Sequence, residues 1–154
     1  MLGIERIIID AGGIASTGEL VRGGYPHELI RVFGSYGVVV NVSHGWWALP
    51  GLAAAVGLAR QLGGRLACVS ALEYHGQLTA GSSDDIQGHY GLHIALGRSA
   101  KRPHGVDVTV HWSRRRLDGD RRAVSAEVAW EQARTCRAVG PGLLAAGLPG
   151  AGTL

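Results

Sequence analysis

The feature that most constrains this chain is the punctuation of its first fifty residues, where glycine pairs and one proline cut the sequence into short helical runs. Ile4, Ile7, Ile8 and Ala11 recur at helical spacing until Gly12-Gly13 ends the run, which predicts a first helix. Ser16 stands three positions before Glu19. In that arrangement the serine caps a first-turn N–H and the glutamate reaches back, so a second helix is expected over 17–22, stopped by Gly23-Gly24. Pro26 suits the first position of a third helix over roughly 26–33, because it has no N–H to orphan there, and Leu29, Ile30 and Phe33 give its inward stripe. Past Gly34 and Gly37 the texture changes to β-branched and aromatic residues, 38–42 and 46–49, around a Ser43-His44-Gly45 turn, which predicts a hairpin.

Three short helices followed by a hairpin is the order of a winged helix-turn-helix, whose third helix reads the DNA major groove. The fold expected is therefore α+β, with a winged helix-turn-helix over 1–50 and a small mixed α/β domain over 51–139. A Gly/Pro-rich tail over 140–154 has too little periodicity to hold a regular element and is expected to be disordered. Within the second domain, an Ala-rich helix is expected over 52–62 and a helical or mixed segment over 66–74. A polar, turn-rich loop follows over 77–91. Alternating segments at 92–96 and 106–112 predict two antiparallel strands, and Ser125 caps a last helix over 126–139 that carries Val128, Ala129, Gln132, Cys136 and Val139 on one face.

The segment Val42-Ser-His-Gly-Trp-Trp-Ala-Leu-Pro50 resembles the wing of AbiEi-family antitoxin domains, where an aromatic pair follows a glycine and leads into Ala-Leu-Pro. Leu66-Ala-Cys-Val-Ser-Ala-Leu-Glu-Tyr-His-Gly76 is similar to the helix that follows the wing domain in that family. Leu92-His-Ile-Ala-Leu96 and Val108-Thr-Val-His-Trp112 are similar to its paired strands. The resemblance implies a bacterial or phage DNA-binding transcriptional regulator, antitoxin-like and autorepressing, that lacks the Vsr-like nuclease domain of longer relatives. The alternative is a non-catalytic interaction module that binds a toxin or a host protein.

Charge is distributed unevenly. The net charge is +3, with one lysine against fourteen arginines, and arginine's planar fork suits phosphate. Through Pro50 the bases are Arg6, Arg22 and Arg31, against Glu5, Asp10, Glu19 and Glu28. That is a net acidic domain, a poor source of phosphate neutralisation. From 98 to 122, Arg98, Lys101, Arg102, Arg114, Arg115, Arg116, Arg121 and Arg122 face only Asp107, Asp118 and Asp120. The DNA-contacting residues expected are thus His27, Arg31, Ser35 and Tyr36 on the third helix and just beyond, His44 at the hairpin tip, and the basic set Arg98, Lys101, Arg102, Arg114, Arg115 and Arg116. A dimer or tandem sites is the usual route by which such readers gain affinity.

No catalytic machinery is expected. Gly81-Ser82-Ser83-Asp84-Asp85 has the Gly-Ser start of a nucleotidyltransferase, but adjacent aspartates on a strand would point apart. Lys101 has Ser99, not an acid, two positions before it, and no serine or cysteine sits in a nucleophile elbow. His89 and His93, with Glu73 and His75, invite a metal, yet none falls in an HExxH or Cys/His framework, so neither metal nor cofactor is expected. Trp46, Trp47, Trp112 and Trp130 are expected as core or interface anchors. Cys68 and Cys136 lie far apart in a Cys-poor chain, which with the absence of a signal peptide or a spanning apolar run gives reduced thiols, a cytoplasmic location and no membrane partner.

Overall fold

A computed structural model describes residues 3–78 and 91–139. Among them are six helices and two three-stranded sheets, a mixed α+β architecture. Among the described residues, no helix is long and apolar enough to cross a membrane. The chain divides into two compact units, one of Met1–Leu62 with Asp120–Arg122 and the other of Gly63–Gly119 with Ala123–Leu154.

In the first unit, α1 (Gly3–Asp10) buries Ile4 and Ile8, one helical turn apart, and ends where Gly12 and Gly13 take φ of +89° and +90°. That left-handed backbone is accessible to glycine at little cost. A three-residue strand that periodicity does not reveal, β1 (Ile14–Ser16), leads into α2 (Thr17–Arg22). The capping box is formed as expected: the Glu19 N–H donates to Ser16 Oγ at 3.2 Å and the Ser16 N–H donates to Glu19 Oε2 at 2.8 Å.

The third helix, α3 (His27–Ser35), begins one residue after Pro26, whose extended ψ of 156° makes it the cap and not the first helical residue. Its inward stripe is also narrower than expected. Ile30 is buried and Phe33 half-buried, but Leu29 is exposed, because Ile30 and Phe33 already supply the row that meets the core. Strands β2 (Val40–Ser43) and β3 (Trp46–Ala48) form the hairpin, and β3 also pairs antiparallel with β1, giving the sheet order β1-β3-β2.

Ile4, Ile8, Ala15, Leu20, Ile30 and Val39 make the core, with Ile7, Tyr25, Phe33 and Trp47 packed on it. The Trp47 indole N–H donates to Thr17 Oγ1 at 3.0 Å, so the ring's one polar atom is satisfied as the ring is covered. Helix α4 (Ala54–Gln61), shorter than the 52–62 expected, packs on β2, where Gln61 Nε2 donates to the Val42 carbonyl at 3.1 Å.

The second unit contains β4 (Arg65–Leu66), α5 (Cys68–Tyr74), β5 (Leu92–Gly97), β6 (Val108–Ser113) and α6 (Ala126–Thr135), with sheet order β4-β5-β6. Three expectations are corrected. First, β5 and β6 are parallel, in register from Leu92↔Val108 to Gly97↔Ser113. Alternation marks a strand but is blind to its direction. Residues 98–107, at about 3.3 Å each, can return along a six-residue strand of about 20 Å without a crossover helix. Second, β5 does not alternate in burial. His93, Ile94, Ala95 and Leu96 are all buried, as befits the central strand of three. Third, α6 ends at Thr135, so Cys136 lies beyond it with extended backbone (φ −79°, ψ 118°) and not on its face. Ser125 caps α6 as expected, accepting from the Val128 N–H at 3.3 Å. The loop expected over 77–91 lies mostly outside the described residues, and the tail over 140–154 lies wholly outside them.

Candidate nucleic-acid interface and a buried Cys/His cluster

The first unit presents α3 and the hairpin tip. His27, Arg31, Ser35 and Tyr36 are all exposed, and so is His44. Ser35 Oγ donates back to the Val32 carbonyl at 2.7 Å, leaving its lone pairs as acceptors. The tip is braced from beneath. Asn41 Nδ2 donates to the Ser43 and Trp46 carbonyls at 3.0 and 3.2 Å, across the point where the β2–β3 register shifts. Apolar side chains are exposed on α3 and its C-terminal cap as well: Leu29 is 38 %, Val32 46 % and Tyr36 82 % exposed.

Arg121 and Arg122, counted by charge among the basic set, belong to the first unit and are engaged there. Arg121 grips the Glu19 carboxylate with both arms of its fork, at 2.6 and 2.7 Å, and donates to the Ile14 carbonyl at 3.0 Å. The guanidinium holds the Glu19 carboxyl well below its ordinary range, at about 2. Two cations lie over the Trp46 ring, Arg60 at 4.7 Å and Arg121 at 5.5 Å from its centroid. Arg122 is paired to Asp120 at 2.8 Å, and Arg6 to Asp10 at 3.1 Å.

In the second unit the parallel pairing has a direct electrostatic result. Because β5 and β6 run the same way and in register, their C-terminal ends lie side by side, and the residues that follow them converge. Gly97, Arg98 and Ser99 after one strand, and Ser113, Arg114, Arg115 and Arg116 at the end of the other, line an open hollow of about 660 Å³. An antiparallel pair would have put Arg98 and the Arg114–116 run at opposite ends of the sheet. Four arginines lining one hollow at the carboxyl ends of parallel strands suit an anion of phosphate type. Lys101 and Arg102 are exposed in the connection but do not line this hollow.

No protein-family model and no curated protein matches the chain.

The metal candidate His93 meets two cysteines and a second histidine inside the second unit. Cys68, His93, His111 and Cys136 place one donor atom each within 4.8 Å of all the others. His93 Nδ1 lies 3.1 Å from His111 Nε2 and 3.9 Å from Cys136 Sγ. Separate parts of the unit supply them: the first residue of α5, the second residue of β5, His111 two positions beyond the β6 register partner of His93, and the residue after α6. Cys68 and His93 are fully buried. Burial, with the His93 ring beside it, lowers His111 to about 4, so its imidazole is neutral at pH 7. Burial and the neighbouring Cys136 push the Cys68 thiol up to about 12.

Neighbouring groups hold the cluster in place. The Cys68 N–H donates to Gln132 Oε1 at 2.9 Å, and the His93 N–H donates to Ser70 Oγ at 2.9 Å. Of the metal candidates read from sequence, only His93 joins the cluster. His75 is occupied elsewhere, with Nε2 2.7 Å from the Val124 carbonyl, and His89 lies outside the described residues, as do Asp84 and Asp85. No spacing rule reaches donors this scattered. The available signal was local, since Cys68, His93 and His111 are each flanked on both sides by apolar residues, an unusual setting for a polar side chain unless it has partners. The tryptophans divide: Trp130 is buried, Trp46 and Trp47 are half-buried, and Trp112 is exposed.

Proposed function

We propose that the first unit is a winged helix-turn-helix that binds double-stranded DNA, and that the chain is a transcriptional regulator of the antitoxin-like kind its hairpin resembles. The observation that carries this reading is the order α1-β1-α2-α3-β2-β3 with the sheet order β1-β3-β2, together with the exposed outer side of α3 and a braced hairpin tip. On that face His27 and Arg31 are one turn apart near the helix start, where a recognition helix meets base edges. Arg31 would read a guanine through two parallel hydrogen bonds, and His44 at the tip would meet the adjacent backbone.

The first unit contains six arginines against five acids, three of those arginines in ion pairs, so it supplies little sequence-independent affinity. The Arg98 and Arg114–116 hollow is the better source of phosphate contact. Two copies on a two-fold site would raise affinity further. A second reading has its own support. Leu29, Val32 and Tyr36 give the α3 face an apolar component that suits a protein partner, a toxin or a host protein.

The test is anisotropy of a fluorescent duplex carrying the upstream region of the chain's own gene, against a scrambled duplex, at two salt concentrations. Preference for the native duplex, lost in Arg31→Ala, supports DNA reading. Replacing Arg114, Arg115 and Arg116 by Ala should weaken both duplexes and reduce the salt slope by about 2–3. A folded chain that binds neither duplex removes this reading and leaves the protein-partner one.

A further inference from the structure

We propose that Cys68, His93, His111 and Cys136 form a structural zinc site that staples the second unit. The proposal stands on the geometry of the donors and is independent of DNA binding. A zinc ion with two nitrogens at about 2.0–2.1 Å and two sulfurs at about 2.3 Å, arranged tetrahedrally, sets its donors roughly 3.4–3.8 Å apart. The observed separations, 3.1 Å between the imidazole nitrogens and 3.9 Å from His93 Nδ1 to Cys136 Sγ, bracket that range, and no pair of donor atoms exceeds 4.8 Å. Small movements of the two imidazoles and the two thiols complete the tetrahedron.

The donor set selects the ion. Two thiolates with two neutral imidazoles in tetrahedral array favour zinc over hard cations such as magnesium or calcium, which take oxygen ligands. Four protein donors leave no open coordination position, and two of the four residues are fully buried, so the site holds structure and activates no water. Binding forms two Zn–N and two Zn–S bonds and releases the two thiol protons to solvent.

The surroundings fit such a site. Cys68 is the one non-glycine residue among those described with positive φ, at +50°, a backbone setting that a side-chain-bearing residue keeps only where its neighbours over-determine it. Here that setting turns the first residue of α5 toward β5. The Gln132 and Ser70 contacts brace the cysteine and histidine backbones from behind, as outer-shell groups do at metal sites.

The experiment uses the full chain, produced without a histidine tag and purified under reducing conditions without chelator. Elemental analysis should find one zinc per chain. Stripping it with a chelator and a thiol reagent, followed by reduction, should lower the melting midpoint, and zinc but not magnesium should restore it. Cobalt added to the stripped chain should give the visible absorption of tetrahedral cobalt with a thiolate charge-transfer band. Cys136→Ser should lose or weaken that band. To separate loss of the metal from loss of the fold, His111→Cys serves as the second variant: it keeps four donors, and its charge-transfer band should intensify. Chains that purify without zinc and give no tetrahedral cobalt spectrum when reduced overturn the proposal, as does recovery of a Cys68–Cys136 disulfide as the stable form in place of bound metal.

Discussion

The two units solve the problem of a small core in different ways. The first closes over large branched and aromatic side chains, Ile4, Ile8, Leu20 and Ile30 with Phe33 and Trp47 against them, and keeps its ionic groups at the margin, where Arg121 meets Glu19. The second has Leu66, Leu72, Ile94, Leu96 and Trp130, but six of its buried residues are alanine: Ala67, Ala71, Ala95, Ala123, Ala129 and Ala133. It also buries His93 near the start of its central strand. Apolar burial stabilises in proportion to area, so small side chains contribute less per residue, and a buried imidazole costs free energy unless partnered. A core of the first kind stands on packing alone. A core of the second kind relies on what its polar centre holds.

The sharpest way to break this comparison is to open a cavity in each core in turn. Ile8→Ala and Leu72→Ala should each cost about 3 kcal/mol, with amide-exchange protection lost mainly in the unit that carries the change. If either substitution abolishes protection across both units at once, the units do not behave as separate cores. Chelation should deepen the Leu72→Ala defect and leave the Ile8→Ala defect unchanged.

A smaller effect concerns the ionic margin of the first unit. Glu19, with its carboxyl pulled from an ordinary 4.5 to about 2 by Arg121, contributes stability that is complete above pH 4.5 and lost as pH falls toward 2. Arg121→Met should cost roughly 1–2 kcal/mol at pH 7, after allowance for solvent screening, and should flatten the loss between pH 4.5 and 2. Denaturant melts at pH 7 and pH 3 give both quantities. An undiminished acid slope in the variant would assign the shift to the capping contacts of Ser16 instead.

The smallest expected effects test local signals. Ser125→Ala removes the cap of α6 and should cost about 1 kcal/mol, measurable as a shift in the second unit's transition. Arg31→Ala, on an exposed helix face, should change stability by less than about 0.5 kcal/mol while altering DNA binding if that reading is right.

The same contrast explains what was legible in the sequence. Helix α2 and its capping box could be read directly, since Ser16 and Glu19 settle it within four residues. The hairpin at Trp46 and Trp47 was legible for the same reason. Strand β1 was not, because three residues carry no period and its existence depends on a partner thirty positions away. The direction of β6 was equally hidden, and with it the convergence of Arg98 and the Arg114–116 run, which no count of charge along the chain reveals. The Cys/His cluster is the extreme case, three donors on three elements and a fourth just past a helix, brought together only by the tertiary fold.

The Arg121 ion pair also bears on how the protein is made. During synthesis the first sixty-two residues leave the ribosome well before Asp120–Arg122, yet that tripeptide belongs to the same unit and supplies the fork that grips Glu19. Until it arrives, the nascent first unit has its apolar core but not its ionic clasp, and it completes itself only after Arg122 has been translated. An excised fragment ending at Leu62 reproduces that unfinished intermediate and not the mature unit.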